Sequence, residues 1–532
     1  MSIKRAIAFT EFEWFYNLYK PLTPYGLEHK NSFNFIADKN ELIHIHKTTK
    51  AFIRFITVNQ EISHKIEYHL KKIDLLNSLD KVLYDATDLY LIKRLIIHYK
   101  AIETILPESI KKPIGFKFKS ADLLNTLMPD NDTSDSFYLS SSFDKNLGII
   151  RSQISEADLK LNSIKLATLN QLKNKYNLDF WGRDFLLIEK TNATCLDDPL
   201  LYFEYYDATY MMVKPVFANE YLNLMQIKDQ LLIDESEVEK EVLQFLTKQA
   251  TKHKENIASY TYSIQLLDTF MAKARMAIEY NLVCPQIDSS CISIKNGVFL
   301  PLEHKHKNKG MNYTPLNAEF RDKATLLSGS NMGGKTVLLK TIGFLQLLTQ
   351  YGFWVPAEQF KTQLFDQIHV HGDTEFQNIE GLSSFGQEIH NLSQVFKEDT
   401  SRKLLLVDEL AKTTNATEAK AILYALLTEI TTRKNTLGFF STHFINMPPI
   451  VGVSRFKMKG LDREKFSNFY VSNKQNKIQE KIMVINQFMQ YEIEIDDGKT
   501  KEFDALTIAE LLGMDKRIIA RARNYLQIRK TK

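Results

Sequence analysis

The chain has 532 residues, 44% hydrophobic, 25% charged and 11% aromatic, which at roughly 100–200 residues per domain makes a protein of several packed domains. Its 19 glycines and 13 prolines are too few for a disordered chain, and its three cysteines (Cys195, Cys284, Cys291) exclude a disulfide framework, show no metal-ligand spacing and fit a reducing cytoplasm. Lys+Arg 68 against Asp+Glu 64 leaves +4, which permits a nucleic-acid partner without requiring one, and no run approaches the ~20 apolar residues of a membrane span.

Residues 1–106 carry apolar positions at helical spacing, such as Leu89, Ile92, Leu95 and Ile96, and predict a helical core domain. Residues 107–230 are less regular, with a polar loop at 129–135 and many aromatics from Phe180 to Tyr210. They read as an inserted or clamp-like helical segment. With 14 Lys+Arg against 17 Asp+Glu this segment is net negative. It is not the basic stripe that neutralises DNA phosphates. Trp181, Tyr202, Phe203, Tyr205 and Tyr206 have faces on which bases stack, but a packed core is the preferred reading.

Residues 231–284 are read as a long lever helix and the return to the core. From 235 to 278 there is neither Pro nor Gly. Leu246, Ala250, His253, Ile257, Tyr260, Ile264, Leu267, Met271 and Ala274 recur at alternating spacings of four and three, the seam of one long helix. His253 reads as a core or edge histidine, since no second metal-type residue is spaced with it.

After Pro285 the texture changes. Ala324–Leu327, Lys403–Val407 and Leu437–Phe440 are short apolar runs, candidate buried strands, and helical patterns follow 335 and 417. That alternation predicts a βαβ sheet domain over 285–505.

Gly329-Ser330-Asn331-Met332-Gly333-Gly334-Lys335-Thr336 matches G-x-x-x-x-G-K-[ST] and lies between an apolar strand and a helix at Val337–Leu348. Glycines let backbone N–H groups wrap phosphates, the helix N-terminus favours their charge, Lys335 reaches the β/γ oxygens and the Thr336 hydroxyl ligates Mg2+. Lys403–Val407 ends in Asp408 and Glu409. Asp408 reads as a water-mediated Mg2+ ligand and Glu409 as the group that polarises the attacking water. His443, at the end of the third run, can contact the γ-phosphate or that water; a capping or surface histidine is the alternative. ATP and Mg2+ are the cofactors, and ATP hydrolysis to ADP and phosphate is the reaction, that this set predicts.

These residues resemble the MutS-type ATPases, a branch of the ABC class. The phosphate loop, including Asn331 and Met332, is similar to that family's, as is Tyr351–Ala357 to its following strand. Glu380–Glu388 stands where its signature loop belongs, Pro315-Leu316-Asn317 resembles the segment near adenine, and Leu511–Arg523 resembles its C-terminal helix-turn-helix, used in dimerisation. The resemblance implies a multidomain fold: an α-helical core and lever in the N-terminal half, then an α/β P-loop (ABC-type) ATPase domain, with a helix-turn-helix at 506–532. It implies a homodimer through the ATPase domain, in which one subunit supplies the loop, Asp408 and Glu409, and the other supplies Ser383 (or Ser384) to the γ-phosphate. Tyr313 is the candidate for stacking on adenine.

The chain departs from the pattern at Ser330, where Pro is usual, and at Leu410–Asn415, where a Gly-Arg-Gly-Thr-Ser-type segment is usual. Nothing resembles the mismatch-reading domain; Phe9-Thr10-Glu11 reads F-x-E without that domain's surroundings. The expectation is a short MutS-like chain, cytoplasmic and off the membrane. It would be an ATP-dependent DNA-binding protein of DNA repair or recombination, recognising DNA structure and not mismatches. The alternative is an ATP-driven remodelling or reactivating machine on a protein partner, such as an adenosylcobalamin-dependent aminomutase. The basic pieces are His304–Lys309, read as a solvated loop, and the run Lys516, Arg517, Arg521, Arg523, Arg529, Lys530 and Lys532, read as the outer face of a helix.

Overall fold

The computed structural model describes residues 2–32, 34–129, 139–193, 197–287, 290–329, 333–372, 384–397, 400–410, 414–444, 447–462, 465, 487–497 and 504–531. The fold is mixed, helical with α/β sheets, and divides into two compact units. One comprises Met1–Glu67, Pro107–Ile114 and Gln265–Lys532; the other comprises Tyr68–Leu106 and Gly115–Ile264. No helix among the described residues is long and apolar enough to cross a membrane.

The first unit is organised by a six-stranded sheet in the order Met489–Ile495, Val453–Leu461, Ala324–Ser328, Thr436–Thr442, Lys403–Asp408, Gln367–His371. Five strands run parallel and Met489–Ile495 is an antiparallel edge. Every residue of Lys403–Asp408 and Thr436–Thr442 is buried, because both faces of the sheet are covered. Leu404, Leu406 and Phe439 pack with Leu339, Ile342 and Leu345 of the helix Lys335–Gln350. Leu405, Val407 and Phe440 pack on the other face with Leu423, Leu427 and Ile430 of the helix Ala416–Thr432. Pairing of Asp408 with Ser441 and of Thr442 with Ser328 brings three carboxyl strand ends level, the position where α/β sheets bind ligands.

The N-terminal helices Ser2–Phe9 and Phe12–Leu18 belong to this unit. Ala6, Phe9, Phe12 and Phe15 share the cluster of the Lys335–Gln350 helix. Tyr351–Ala357, expected as a strand, is instead a turn. Gly352 has φ +66 and only Val355 bridges, to Val283; the strand itself is Gln359–Thr362. The chain must reverse after the helix, and the left-handed glycine does this where an extended residue could not.

In the second unit the long helices Lys145–Tyr176 and Asn219–Lys252 pack together, joined by Arg151 to Glu235 and Glu239, each at 2.7 Å. The seam residues Leu246, Ala250, Ile257, Tyr260, Ile264, Leu267, Met271 and Ala274 are all within 1% of full burial. The expected single helix is nevertheless two, Asn219–Lys252 and Lys254–Glu279. The break is at His253, whose ring reaches Ser120 Oγ and Asp122 Oδ2, both at 3.1 Å. A side-chain anchor breaks the helix here without proline or glycine.

Residues 186–215 hold a three-stranded antiparallel sheet, in the order Leu186–Glu189, Tyr210–Pro215, Leu201–Tyr205. Its inner face packs Leu201 and Val213 on Leu172 and Phe180. Of the aromatics expected in a core, Phe203 packs against it, while Trp181 is 81% exposed, Tyr205 67%, Tyr202 56% and Tyr206 51%. Short strands bury only alternate side chains, so an aromatic-rich stretch need not be a core.

Candidate nucleotide site

The strand Ala324–Ser328 ends in Gly329 (φ +138), and Gly334 (φ +96) caps the helix Lys335–Gln350. Both need glycine for a second reason. A Cβ on Gly329 would come 3.1 Å from Met458 Cβ, and one on Gly334 3.1 Å from Tyr491 Cδ1. Gly333 is buried between them; Ser330, Asn331 and Met332 lie outside the described residues.

Lys335 opens the helix and is 3% exposed. Its Nζ donates to Gly329 O at 2.8 Å and lies 3.1 Å from Glu409 Oε1. Thr336 Oγ1 donates to Asp408 Oδ2 at 2.6 Å, and Ser441 Oγ donates to Asp408 Oδ1 at 2.5 Å. Ser441 Oγ also accepts from Glu409 N at 3.0 Å. Ser441 is therefore a hinge-pin between the two acids, and sequence reading missed it. Glu409 holds φ +53, a left-handed conformation that a non-glycine residue keeps only when its surroundings enforce it.

The Thr336 hydroxyl and the Asp408 carboxylate are hard oxygen ligands brought together beside a helix N-terminus, a set that suits Mg2+. Among the described residues no three His, Cys, Asp or Glu side chains converge to hold a metal, so an ion here would complete its shell with phosphate and water.

Beside Gly334, Lys335 and Thr336 opens a cavity of about 290 Å3, lined in part by His306, Tyr313, Leu316, Met458 and Tyr491. Tyr313 OH accepts from Phe299 N at 2.8 Å, and burial pushes its pKa up to about 12. Burial also raises Tyr491. Tyr313 thus lines the same cavity as Gly334, Lys335 and Thr336. Tyr491 was not singled out in the sequence; it reaches the cavity only because the antiparallel edge strand returns beside Val453–Leu461. His306 belongs to the run read as a solvated loop, which is the helix Leu300–Asn308.

The remaining candidates are less connected. His443 is exposed just past Thr442, with its ring 4.6 Å from that of Phe444. Ser383 lies outside the described residues. Ser384 opens the helix Ser384–Val395, and its side chain too is outside the description.

A phosphate loop between a buried parallel strand and a helix, with an Asp-Glu pair ending the next-but-one strand, defines a P-loop nucleotide-binding domain. Residues 325–529 match MutS domain V. The chain is similar to the endonuclease MutS2 of Acetivibrio thermocellus, 31% identical over 247 residues, 45% of this chain and 29% of that protein. It is similar to the human DNA mismatch repair protein Msh3, 26% identical over 274 residues, 51% and 23% of the two chains. It is also similar to the DNA mismatch repair protein MutS of Thermus thermophilus, 26% identical over 288 residues, 54% and 32%. Over residues 325–529 the chain is thus similar to the MutS family. It spans about a quarter to a third of the length of these relatives.

Proposed function

We propose that the chain is an ATP-dependent MutS-like DNA-binding protein. It is a dimeric ATPase acting in DNA repair or recombination by recognising DNA structure. The observation that carries the reading is the 2.6 Å contact of Thr336 with Asp408 beside a buried Lys335 at the mouth of the phosphate loop. The triphosphate sits at the N-terminus of Lys335–Gln350, where backbone N–H groups and the Lys335 ammonium face its oxygens. Thr336 and Asp408 would hold Mg2+, which supplies charge neutralisation of the phosphates when bound. Glu409 orients the attacking water and takes its proton, and His443 faces the γ-phosphate side. Ser383 of the partner subunit reaches that phosphate. The helices Asp504–Leu512 and Lys516–Thr531 form the helix-turn-helix that joins the copies.

The test is a set of three variants. Lys335→Ala should lose ATP binding. Glu409→Gln should bind ATP and slow its hydrolysis by about 100-fold or more. Mixing Lys335→Ala with Ser383→Ala chains should recover part of the activity that each lacks alone. Parental turnover by Glu409→Gln would overturn the catalytic assignment, and no recovery on mixing would overturn the shared site.

A second reading, an ATP-driven machine on a protein partner, is favoured by the acidic balance of residues 107–230 and the exposed Trp181, Tyr202 and Tyr205.

A further inference from the structure

We propose that His306 reads the edge of the nucleotide base and sets a preference for adenine over 6-oxopurines. This rests on reading the Tyr313 cavity as the base site. His306 Nδ1 lies 3.0 Å from the backbone carbonyl oxygen of Asn312. A carbonyl only accepts, so Nδ1 carries the proton, and the neutral imidazole then has Nε2 as a bare acceptor.

The contact is built into one helix end. The His306 carbonyl accepts from Lys309 N and Met311 N, both at 2.9 Å, which folds residues 309–313 back along the helix and brings Asn312 to the ring. The His306 and Tyr313 rings are 6.1 Å apart and inclined at 67°. A base lying parallel to Tyr313 therefore meets His306 at its edge and does not stack on it. Both rings line the cavity of about 290 Å3 beside Lys335 and Thr336.

The chemistry of the base follows. Adenine carries an amino group at C6, a donor that suits a bare Nε2. Hypoxanthine and guanine carry a carbonyl there, and two acceptors would face each other. A polar group left unmatched against the base discriminates more strongly than a lost methyl contact.

The experiment measures kcat/KM for Mg-ATP and Mg-ITP on the full chain. ITP replaces the C6 amino group by a carbonyl and turns N1 from acceptor to donor, leaving the rest of the nucleotide unchanged. The parent should favour ATP. His306→Phe, which removes the acceptor, should reduce the ATP:ITP ratio by about tenfold. His306→Glu, a fixed acceptor, should keep the preference, whereas His306→Arg, a fixed donor, should reverse it towards ITP. A purely structural role would lower both substrates together and leave the ratio alone. Ratios within twofold of the parent in all three variants would overturn the assignment.

Tyr313→Ala separates the two levels of failure. If its ATP affinity matches the parent's, the cavity is not the base site and the reading beneath falls. If it weakens ATP while the His306 variants keep the ratio, His306 alone is misassigned.

Discussion

Ser441 shows how a residue with no chemistry of its own can govern two that have it. It is fully buried, donates to Asp408 Oδ1 and accepts from Glu409 N. The second bond helps to hold Glu409 at φ +53, which sets where the carboxylate points. Ser441→Ala leaves a buried carboxylate oxygen and a backbone N–H each short of a partner, at about 1–3 kcal/mol. If Glu409 is the general base, kcat should fall by at least tenfold as its aim is lost, while the bond lost from Asp408, the proposed Mg2+ ligand, should raise KM by less. Steady-state kinetics checks this, and a proportional rise in KM at constant kcat would place the effect in binding. The acids at 408 and 409 were legible in the sequence because they end an apolar run. Ser441 was not, since its role exists only through the register of two parallel strands.

At the scale of elements, the helix Lys335–Gln350 is flanked by a lysine at each end. Lys335 opens it, and Lys273, from the helix Lys254–Glu279, meets the two carbonyls just past its C-terminal end. Lys273 Nζ donates to Tyr351 O at 3.1 Å and Gly352 O at 3.2 Å and sits 4.7 Å from the Phe353 ring centre. A cation suits a helix C-terminus, yet burial pushes the Lys273 pKa down to about 7. The unfolded chain then holds a proton that the folded chain has lost from about pH 7 up to the ordinary lysine range. This group's contribution to stability therefore rises with pH across that window, and below it the burial cost is complete. In denaturant titrations of parent and Lys273→Met, the difference should move in the parent's favour by about 2 kcal/mol from pH 7 to 9. A gap that does not change with pH would refute the depressed titration. The elements themselves were unequally legible. Ala324–Ser328, Lys403–Asp408 and Thr436–Thr442 are buried on both faces and read as apolar runs. The sheet at 186–215 is half exposed and strongly aromatic, so its period was hidden. The break at His253 depends on Ser120 and Asp122, more than 130 positions away in the sequence, and no local pattern marks it.

At the scale of the whole molecule, charge bears on what the nucleotide-binding domain acts on. The chain is only +4 overall, and residues 107–230 are net negative. If DNA is bound, the basic run that starts at Lys516 is the candidate for its phosphates. Lys516, Arg517 and Arg521 are exposed on one terminal helix, while Arg523 is held by Glu510 at 2.7 Å. Three phosphate contacts give a slope of log affinity against log salt near −3. Affinity should therefore fall roughly twentyfold on a threefold rise in salt. Replacing Lys516, Arg517 and Arg521 together by Gln should flatten that slope, with little change in the melting temperature because all three side chains are exposed. The measurement is a fluorescence-anisotropy titration of duplex, branched and single-stranded DNA with the full chain and ATP. A steep slope that the triple variant leaves intact would move the DNA contact away from the terminal helix. No binding to any of the three at low salt would remove DNA as the partner. The exposed Trp181, Tyr202 and Tyr205 would then be the place to seek a protein, because exposed aromatic side chains in a net-negative segment suit an apolar protein surface better than a phosphate backbone.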